Sequence, residues 1–312
     1  MRLLLSVFVM MILSGCDDHS MTINQLQFVG SHNSYKLAMD IDMVTVLTER
    51  SPEAVESLDY SHLPIPDQLD TGLRKLELDV FFDAKTNMLS VGHVQQIDMN
   101  SSCSPLISCF NQILAWSKIN PTHVPIWISF NAKDQVIDGL PVPDAFSDQA
   151  LALLDTQIEQ SFEGKLIWPK DVVGLNWPRI DQARGKFLFV LDEAGQKKER
   201  YLIDWDSRPM FTTVEPPHPA AAILIVNDPV KNQTSIRDLV DRGYMVRTRA
   251  DADTREARFN ETGRKLAAMS SGAQAISTDY YVPSTHFDSA YQLEPFIRCN
   301  PINTSSLCSF YE

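Results

Sequence analysis

Short runs of apolar or alternating residues recur along the chain, each closing on polar residues and each followed by a stretch with room for a helix. In order they are Gln25–Val29, Leu73–Val80, Met88–Val91, Pro125–Phe130, Lys186–Leu191, Ala221–Val226, Tyr244–Thr248 and Gln274–Thr278. Between them, Pro105–Lys118, Asp144–Ser161, Thr234–Arg242 and Arg255–Ser270 read as helices. The last two stop just before Gly243 and Gly272, where a left-handed cap residue is expected. Strand alternating with helix in this way predicts an α/β fold, a (β/α)₈ TIM barrel occupying residues 22–312 as one domain. Asp40–Tyr60 and Lys197–Pro219 read as long excursions over the rim. The second carries Tyr201, Trp205, Phe211, Pro216 and Pro217, a composition suited to covering a site, touching a lipid surface or serving as a structural insertion.

The residues that close the runs are His32-Asn33, Glu77 and Asp79, His93, Asn131 and Lys133, Asp192-Glu193, Asn227-Asp228, Arg249 and Asp251, and Asp279. In a barrel the C-terminal strand ends converge on one rim, where the active sites of this fold lie.

Composition narrows the picture. With 312 residues, 44% of them hydrophobic, the chain can bury one large core. A net charge of −13 excludes nucleic acid as a partner, because no excess of Lys or Arg exists to neutralise phosphates. An anionic membrane would also repel the bulk protein, so a bound divalent cation is the natural means of attracting an anionic lipid. A monomer is expected.

Arg2, the apolar run Leu3 to Leu13 and then Ser14-Gly15-Cys16 form an export signal over residues 1–15, too short to span a bilayer comfortably. Leu13-Ser14-Gly15-Cys16 resembles the bacterial lipobox, which implies a lipid on Cys16, a short tether over 16–21 and export to the periplasmic or extracellular side. Of the five cysteines, Cys103, Cys109, Cys299 and Cys308 then remain. Local spacing favours the pairs Cys103–Cys109 and Cys299–Cys308 in an oxidising compartment. Neither pair has the C-x-x-C spacing of a zinc site.

Glu77 and Asp79 lie two apart in Leu76-Glu77-Leu78-Asp79-Val80, so on a strand both carboxylates point to one side and the three apolar residues to the other. Two such charges in a partly buried barrel mouth need a proton, a cation or an arginine such as Arg74 or Arg249 between them. Hard oxygen donors select Ca²⁺ or Mg²⁺ over softer metals. His32 and His93 follow Gly30 and Gly92 at the ends of two runs. Two imidazoles beside a cation suit phosphodiester cleavage: one takes a proton from the attacking hydroxyl and one gives a proton to the leaving oxygen. The other histidines, His62 and His286 among them, read as structural.

Gly30-Ser31-His32-Asn33-Ser34-Tyr35, Arg74-Lys75-Leu76-Glu77-Leu78-Asp79-Val80 and Gly92-His93 together resemble the catalytic X region of phosphoinositide phospholipase C. Leu58-Asp59-Tyr60-Ser61-His62, Gln68-Leu69-Asp70-Thr71-Gly72, His123-Val124-Pro125-Ile126 and Ala275-Ile276-Ser277-Thr278-Asp279-Tyr280 extend the likeness to the bacterial and fungal calcium-dependent branch. The resemblance implies a phosphodiesterase barrel that cleaves phosphatidylinositol at a phospholipid surface. It further implies Ca²⁺ held by Asn33, Glu77, Asp79 and Asn131, His32 and His93 as the acid–base pair, and Lys133 and Arg249 near the head group. Asn131 stands where animal relatives carry glutamate, one negative charge fewer in the metal shell. A glycerophosphodiester phosphodiesterase shares the barrel, a first-strand histidine and a Glu-x-Asp pair, but its histidine usually stands in His-Arg-Gly. A catalytically silent ligand-binding lipoprotein would not need the full histidine and carboxylate set.

Overall fold

The computed structural model describes residues 21–310; the export signal, Cys16 and the tether as far as residue 20 lie outside the described residues. The strands are β1 (Leu26–Ser31), β2 (Lys75–Asp83), β3 (Met88–Val91), β4 (Ile126–Ala132), β5 (Phe187–Leu191), β6 (Met210–Thr212), β7 (Ile223–Ile225), β8 (Met245–Arg249), β9 (Ala275–Thr278) and β10 (Ile297–Cys299). Eight of them are parallel and run in the order β6-β5-β4-β2-β1-β9-β8-β7. A single bridge between Thr213 and Ile223 joins the two ends, so the barrel is nearly closed. The helices are α1 (Ile41–Arg50), α2 (Pro52–Leu58), α3 (Ile65–Asp70), α4 (Leu106–Ile119), α5 (Asp148–Ser161), α6 (Ile180–Ala183), α7 (Gly195–Leu202), α8 (Pro229–Asp241), α9 (Arg255–Arg258) and α10 (Gly263–Ser271).

The barrel forms as expected, but one of its strands is not the one the pattern suggested. Met88–Val91 is no barrel strand: it pairs antiparallel with the end of β2, from Val80 with Val91 to Asp83 with Met88. The physical reason is the length of the link. Ala84–Asn87 can close a hairpin, pinned by Asp83 Oδ1 accepting from the Lys85 and Thr86 amides (2.8 and 3.1 Å), whereas a parallel crossover needs a dozen residues or more. The missing eighth strand is β6, parallel to β5, inside the segment expected to be a rim excursion; that segment instead holds α7 and β6. The expected helix over Arg255–Ser270 is broken into α9 and α10, with Asn260 in the left-handed region between them (φ 52°). Asp40–Tyr60 folds as α1 and α2.

Strand parity separates two cores. Leu76, Leu78, Val80, Ile128, Phe130, Phe189 and Leu191 pack outward against α4 and α5, among Phe110, Ile113, Leu154, Ile158 and Phe162. The alternate positions fill the barrel: Trp127, Leu188 and Val190 meet Leu26, Phe28, Phe211 and Met245. Toward the C-terminal rim the same inward rows become polar, Glu77 beside Ser129 and Asp79 beside Asn131. Gly30 allows β1 and β2 to touch, since a Cβ there would lie 2.3 Å from the Lys75 Cβ. Both expected disulfides form, Cys103–Cys109 and Cys299–Cys308, with Cα separations of 5.0 and 6.1 Å.

Candidate active site

Glu77 and Asp79 face the barrel mouth from β2, and Asn131 faces them from β4, its Nδ2 3.2 Å from Glu77 Oε1 and 3.0 Å from Asp79 Oδ1. Lys133, just past β4, sets its ammonium 2.7 Å from Asp79 Oδ2. The outer oxygen of Glu77 is taken by Lys75 and by Arg247 Nη2 (2.7 Å), both fully buried. Burial alone would raise the Glu77 pKa, yet Lys75 and Arg247 outweigh it and hold the carboxyl well below its usual range. The cations on Glu77 are therefore not Arg74 or Arg249. Arg74 caps the Leu69 and Leu73 carbonyls instead, and Arg247 is committed to Glu77 rather than open to a head group.

His32 follows β1. Its Nδ1 lies 3.0 Å from Asp279 Oδ1, so the ring carries its proton there and turns Nε2 toward Glu77 Oε1 at 3.6 Å. Arg249, at the end of β8, approaches the same ring at 3.3 Å and Asp279 at 3.6 Å. Burial and then Arg249 lower the His32 pKa, against the pull of Asp279 and Glu77, which favours a neutral imidazole able to accept a proton. Asn33, in the left-handed region (φ 46°), donates from Nδ2 to Tyr60 Oη at 2.8 Å.

His93 comes to the rim because the β2–β3 hairpin folds back, with the Gly92 amide on the Asp79 carbonyl at 3.3 Å. Its Nδ1 meets Asp98 Oδ2 at 2.9 Å, leaving Nε2 as the atom for proton transfer. Asp98 in turn holds the fully buried Lys36 at 3.1 Å. The structure thus links Asn33, His32, Glu77, Asp79, Asn131, Lys133 and Arg249 through side chains and attaches His93 through the backbone. Sequence reasoning missed Asp98 and Lys36, which serve His93. It also placed His62 among structural histidines, although His62 Nε2 donates to the His32 carbonyl at 2.6 Å and lies 3.7 Å from Asp279. The five-residue offset from His93 to Asp98 within a turn carries no periodic signal that could have exposed it.

The donor set can be tested for calcium. Among the described residues no group of three or more His, Cys, Asp or Glu side chains could hold a metal, so asparagine oxygens must complete any shell. They are available. Asn33 Oδ1 is buried without a partner, and a half-turn of the Asn131 amide puts its oxygen where Nδ2 bridges the two carboxylates. With Glu77 Oε1 and Asp79 Oδ1 this makes an all-oxygen site of the kind Ca²⁺ takes. Beside it a cleft of about 380 Å³ is lined by Asn131, Lys133, Asp192 and Asn227.

The family model of phosphoinositide phospholipase C, Ca²⁺-dependent, matches residues 21–90 and 85–301. The chain belongs to this calcium-dependent phospholipase C family. Comparison with curated proteins finds no match. Among solved structures, the calcium-dependent phosphoinositol-specific phospholipase C of Pseudomonas sp., a Gram-negative bacterium, is similar at 15% identity and a TM-score of 0.58 over 90% of this chain and 96% of that one. The Ca²⁺-dependent phosphatidylinositol-specific enzyme of Streptomyces antibioticus gives 19%, 0.57, 84% and 96% in the same order. The phosphatidylinositol-specific phospholipase C of Listeria monocytogenes gives 14%, 0.54, 85% and 91%. The calcium-dependent phospholipase C reading and the barrel therefore agree.

Proposed function

We propose that the rim site cleaves phosphatidylinositol-type phosphodiesters at a lipid surface, releasing diacylglycerol and a cyclic inositol phosphate. The observation that carries this reading is the pair of imidazoles, each oriented by its own carboxylate, His32 by Asp279 and His93 by Asp98, beside an oxygen-lined cation site. Asn33, Glu77, Asp79 and Asn131 would hold Ca²⁺, which would supply charge stabilisation to the phosphate and acidity to the attacking hydroxyl. His32 Nε2 takes that hydroxyl's proton, and its lowered pKa keeps it ready as a base. Lys133 and Arg249, one on each side of the mouth, bind phosphate oxygens. His93 Nε2 gives a proton to the departing glyceryl oxygen, with the Asp98 carboxylate stabilising the imidazolium beforehand.

The exposed α1, with no buried residue and with Ile41 and Val46 exposed at 75% and 46%, follows the C-terminal end of β1 and suits contact with acyl chains. Two disulfides support an exported protein in an oxidising compartment. Lipid attachment at Cys16 would hold it to a membrane there; no described helix is long and apolar enough to cross one.

Turnover of phosphatidylinositol in Ca²⁺ and in EGTA, for the native chain, His32→Ala and His93→Ala, tests the reading. Calcium-dependent release of cyclic inositol phosphate, reduced about 10²–10⁴-fold in either variant, is the expected result. Equal turnover in all conditions, or glycerol phosphate released from a deacylated lipid, would refute it.

A further inference from the structure

Beside the phosphodiester site, three polar side chains from two distant segments form a hydrogen-bonded line. Ser61 Oγ lies 2.8 Å from His286 Nε2, and His286 Nδ1 lies 2.7 Å from Asp59 Oδ1. The polarity is that of a nucleophilic serine: the hydroxyl on Nε2, the carboxylate on Nδ1. Asp59 is itself fixed, its second oxygen accepting from Arg258 Nη2 at 2.7 Å, and Arg258 stacks on Phe287 beside the histidine. The cluster opens on a cleft of about 100 Å³ walled by Leu63, Val282, Pro283 and Thr285, with Tyr60, His62 and Asp279, which back the phosphodiester site, on its inner side.

Two further donors stand at that cleft. The Tyr280 side chain is 2% exposed, lines it, and its hydroxyl has no partner. Burial pushes the Tyr280 pKa well above its usual value, so the hydroxyl keeps its proton. The Ser61 amide also donates to no group among the described residues. A buried hydroxyl left unpaired is costly to keep, which makes it a marker for a ligand oxygen.

We propose that Ser61, His286 and Asp59 form a second catalytic site that hydrolyses carboxylic esters with a small acyl group. Ser61 Oγ adds to the ester carbonyl while its proton passes to His286 Nε2, and Asp59 stabilises the resulting imidazolium. The Tyr280 hydroxyl and the Ser61 amide receive the oxyanion. Collapse expels the alkoxide, which takes the proton from His286 and leaves as alcohol. Water, deprotonated by the same nitrogen, then adds to the acyl-serine and releases the carboxylic acid with Ser61 restored. One ester and one water give one acid and one alcohol. The size of the cleft limits the acyl group to a few carbons, since ligand pockets for larger molecules run to about 300 Å³ or more.

The test uses the whole protein in EGTA, so that its result does not depend on the calcium-bound phosphodiester site. The native chain is treated with an alkyl fluorophosphonate and mapped by peptide mass spectrometry, and initial rates on p-nitrophenyl acetate are compared with those of Ser61→Ala and Asp59→Asn. The expected result is an adduct on Ser61 and a rate above buffer that falls about 10²-fold or more in Ser61→Ala and at least about tenfold in Asp59→Asn. Labelling is read on the native chain and so does not depend on either variant folding. An unlabelled Ser61, or a native ester rate retained by Ser61→Ala, overturns the proposal and leaves the cluster as a clasp that ties residues 283–287 to 59–61.

Discussion

Asp98 bears two loads at once: it orients His93 through Oδ2 and is the counter-charge of the buried Lys36 through Oδ1. Burial lowers the Lys36 pKa, and Asp98 is the group that chiefly opposes the shift. Asp98→Asn should therefore act on two readouts. Thermal and denaturant unfolding should show a loss of about 3 kcal/mol, because a buried ammonium loses its partner. At temperatures where the variant stays folded, kcat should drop about 10²-fold with KM nearly constant, since the imidazole loses the group that stabilises its charged form. A variant with native kcat would show that His93 needs no orientation. Asn131 gives a second test at this scale. Replacing it with aspartate adds one charge to the oxygen set, and even a well-screened contact of that kind is worth about 1 kcal/mol or more. The Ca²⁺ concentration for half-maximal activity should fall roughly fivefold or further, and an unchanged value would remove Asn131 from the shell. The two acids of β2 were legible in the sequence because parity alone fixes their common direction. Their distant ion partners were not, since Arg247 reaches Glu77 from β8 and Lys133 reaches Asp79 from just past β4, whereas Lys75 shares β2 and its parity with both acids.

Between elements, the site depends on how closely β1 approaches β2. The Gly30 α-carbon faces Lys75, whose Nζ reaches back to the Ser31 carbonyl at 3.0 Å and onward to Glu77. A methyl group at residue 30 would meet the Lys75 Cβ and backbone carbonyl, both held by the sheet and unable to move aside. Gly30→Ala should cost about 1–3 kcal/mol of unfolding free energy and lower turnover, because His32 and Glu77 sit on the two strands being parted. If melting temperature and activity both match the native chain, the contact is not the constraint. Strand patterns were readable for β1, β2, β4, β5, β7, β8 and β9, β7 because the apolar run Ala221–Val226 extends beyond its three paired residues. β6 escaped notice because Met210–Thr212 stand between Arg208-Pro209 and Thr213 with no such run around them, and their strand character comes from Phe189, Val190 and Leu191 alongside. β3 was misread for the converse reason: its pattern is that of a strand, and only the short Ala84–Asn87 link shows that it cannot be a parallel one.

At the scale of the whole molecule, the chain enters the barrel at Thr22, which bridges to Arg179 just before β1 begins. This is the N-terminal face, opposite the rim that carries His32 and Glu77. If Cys16 is lipidated, the tether reaches at most about 20 Å, at 3.3–3.6 Å per residue, and attaches at the far end from the chemistry. The anchored enzyme would then turn its rim away from its own membrane. Cys16→Ser should shift the protein from the membrane fraction to the soluble one without changing turnover of dispersed substrate; a soluble native protein would refute the anchor.

A proton held on Asp251 also couples the site to global stability. Asp251 and Asp279 are both buried, and the Asp279 amide donates to Asp251 Oδ1 at 2.8 Å. Their pKa values move apart. Burial opposes the charge on Asp279, but His32, hydrogen-bonded to it through Nδ1, then His62 and Arg249 outweigh it and keep that residue ionised. Asp251 has burial and the Asp279 charge against it, and its pKa rises to about 7. The native state therefore holds a proton on Asp251 that the unfolded chain surrenders near pH 4, the ordinary aspartate range. With more protons bound in the native state than in the unfolded one, stability declines as pH rises. The contribution is complete below about pH 4 and is lost as pH rises through about 7. Asp251→Asn keeps a neutral side chain at every pH, so the difference in unfolding free energy between native and variant chains should drift against the native chain from pH 4.5 to 7.5, with a slope approaching one proton. Parallel stability curves across that interval would mean that Asp251 is ionised in the fold beside Asp279.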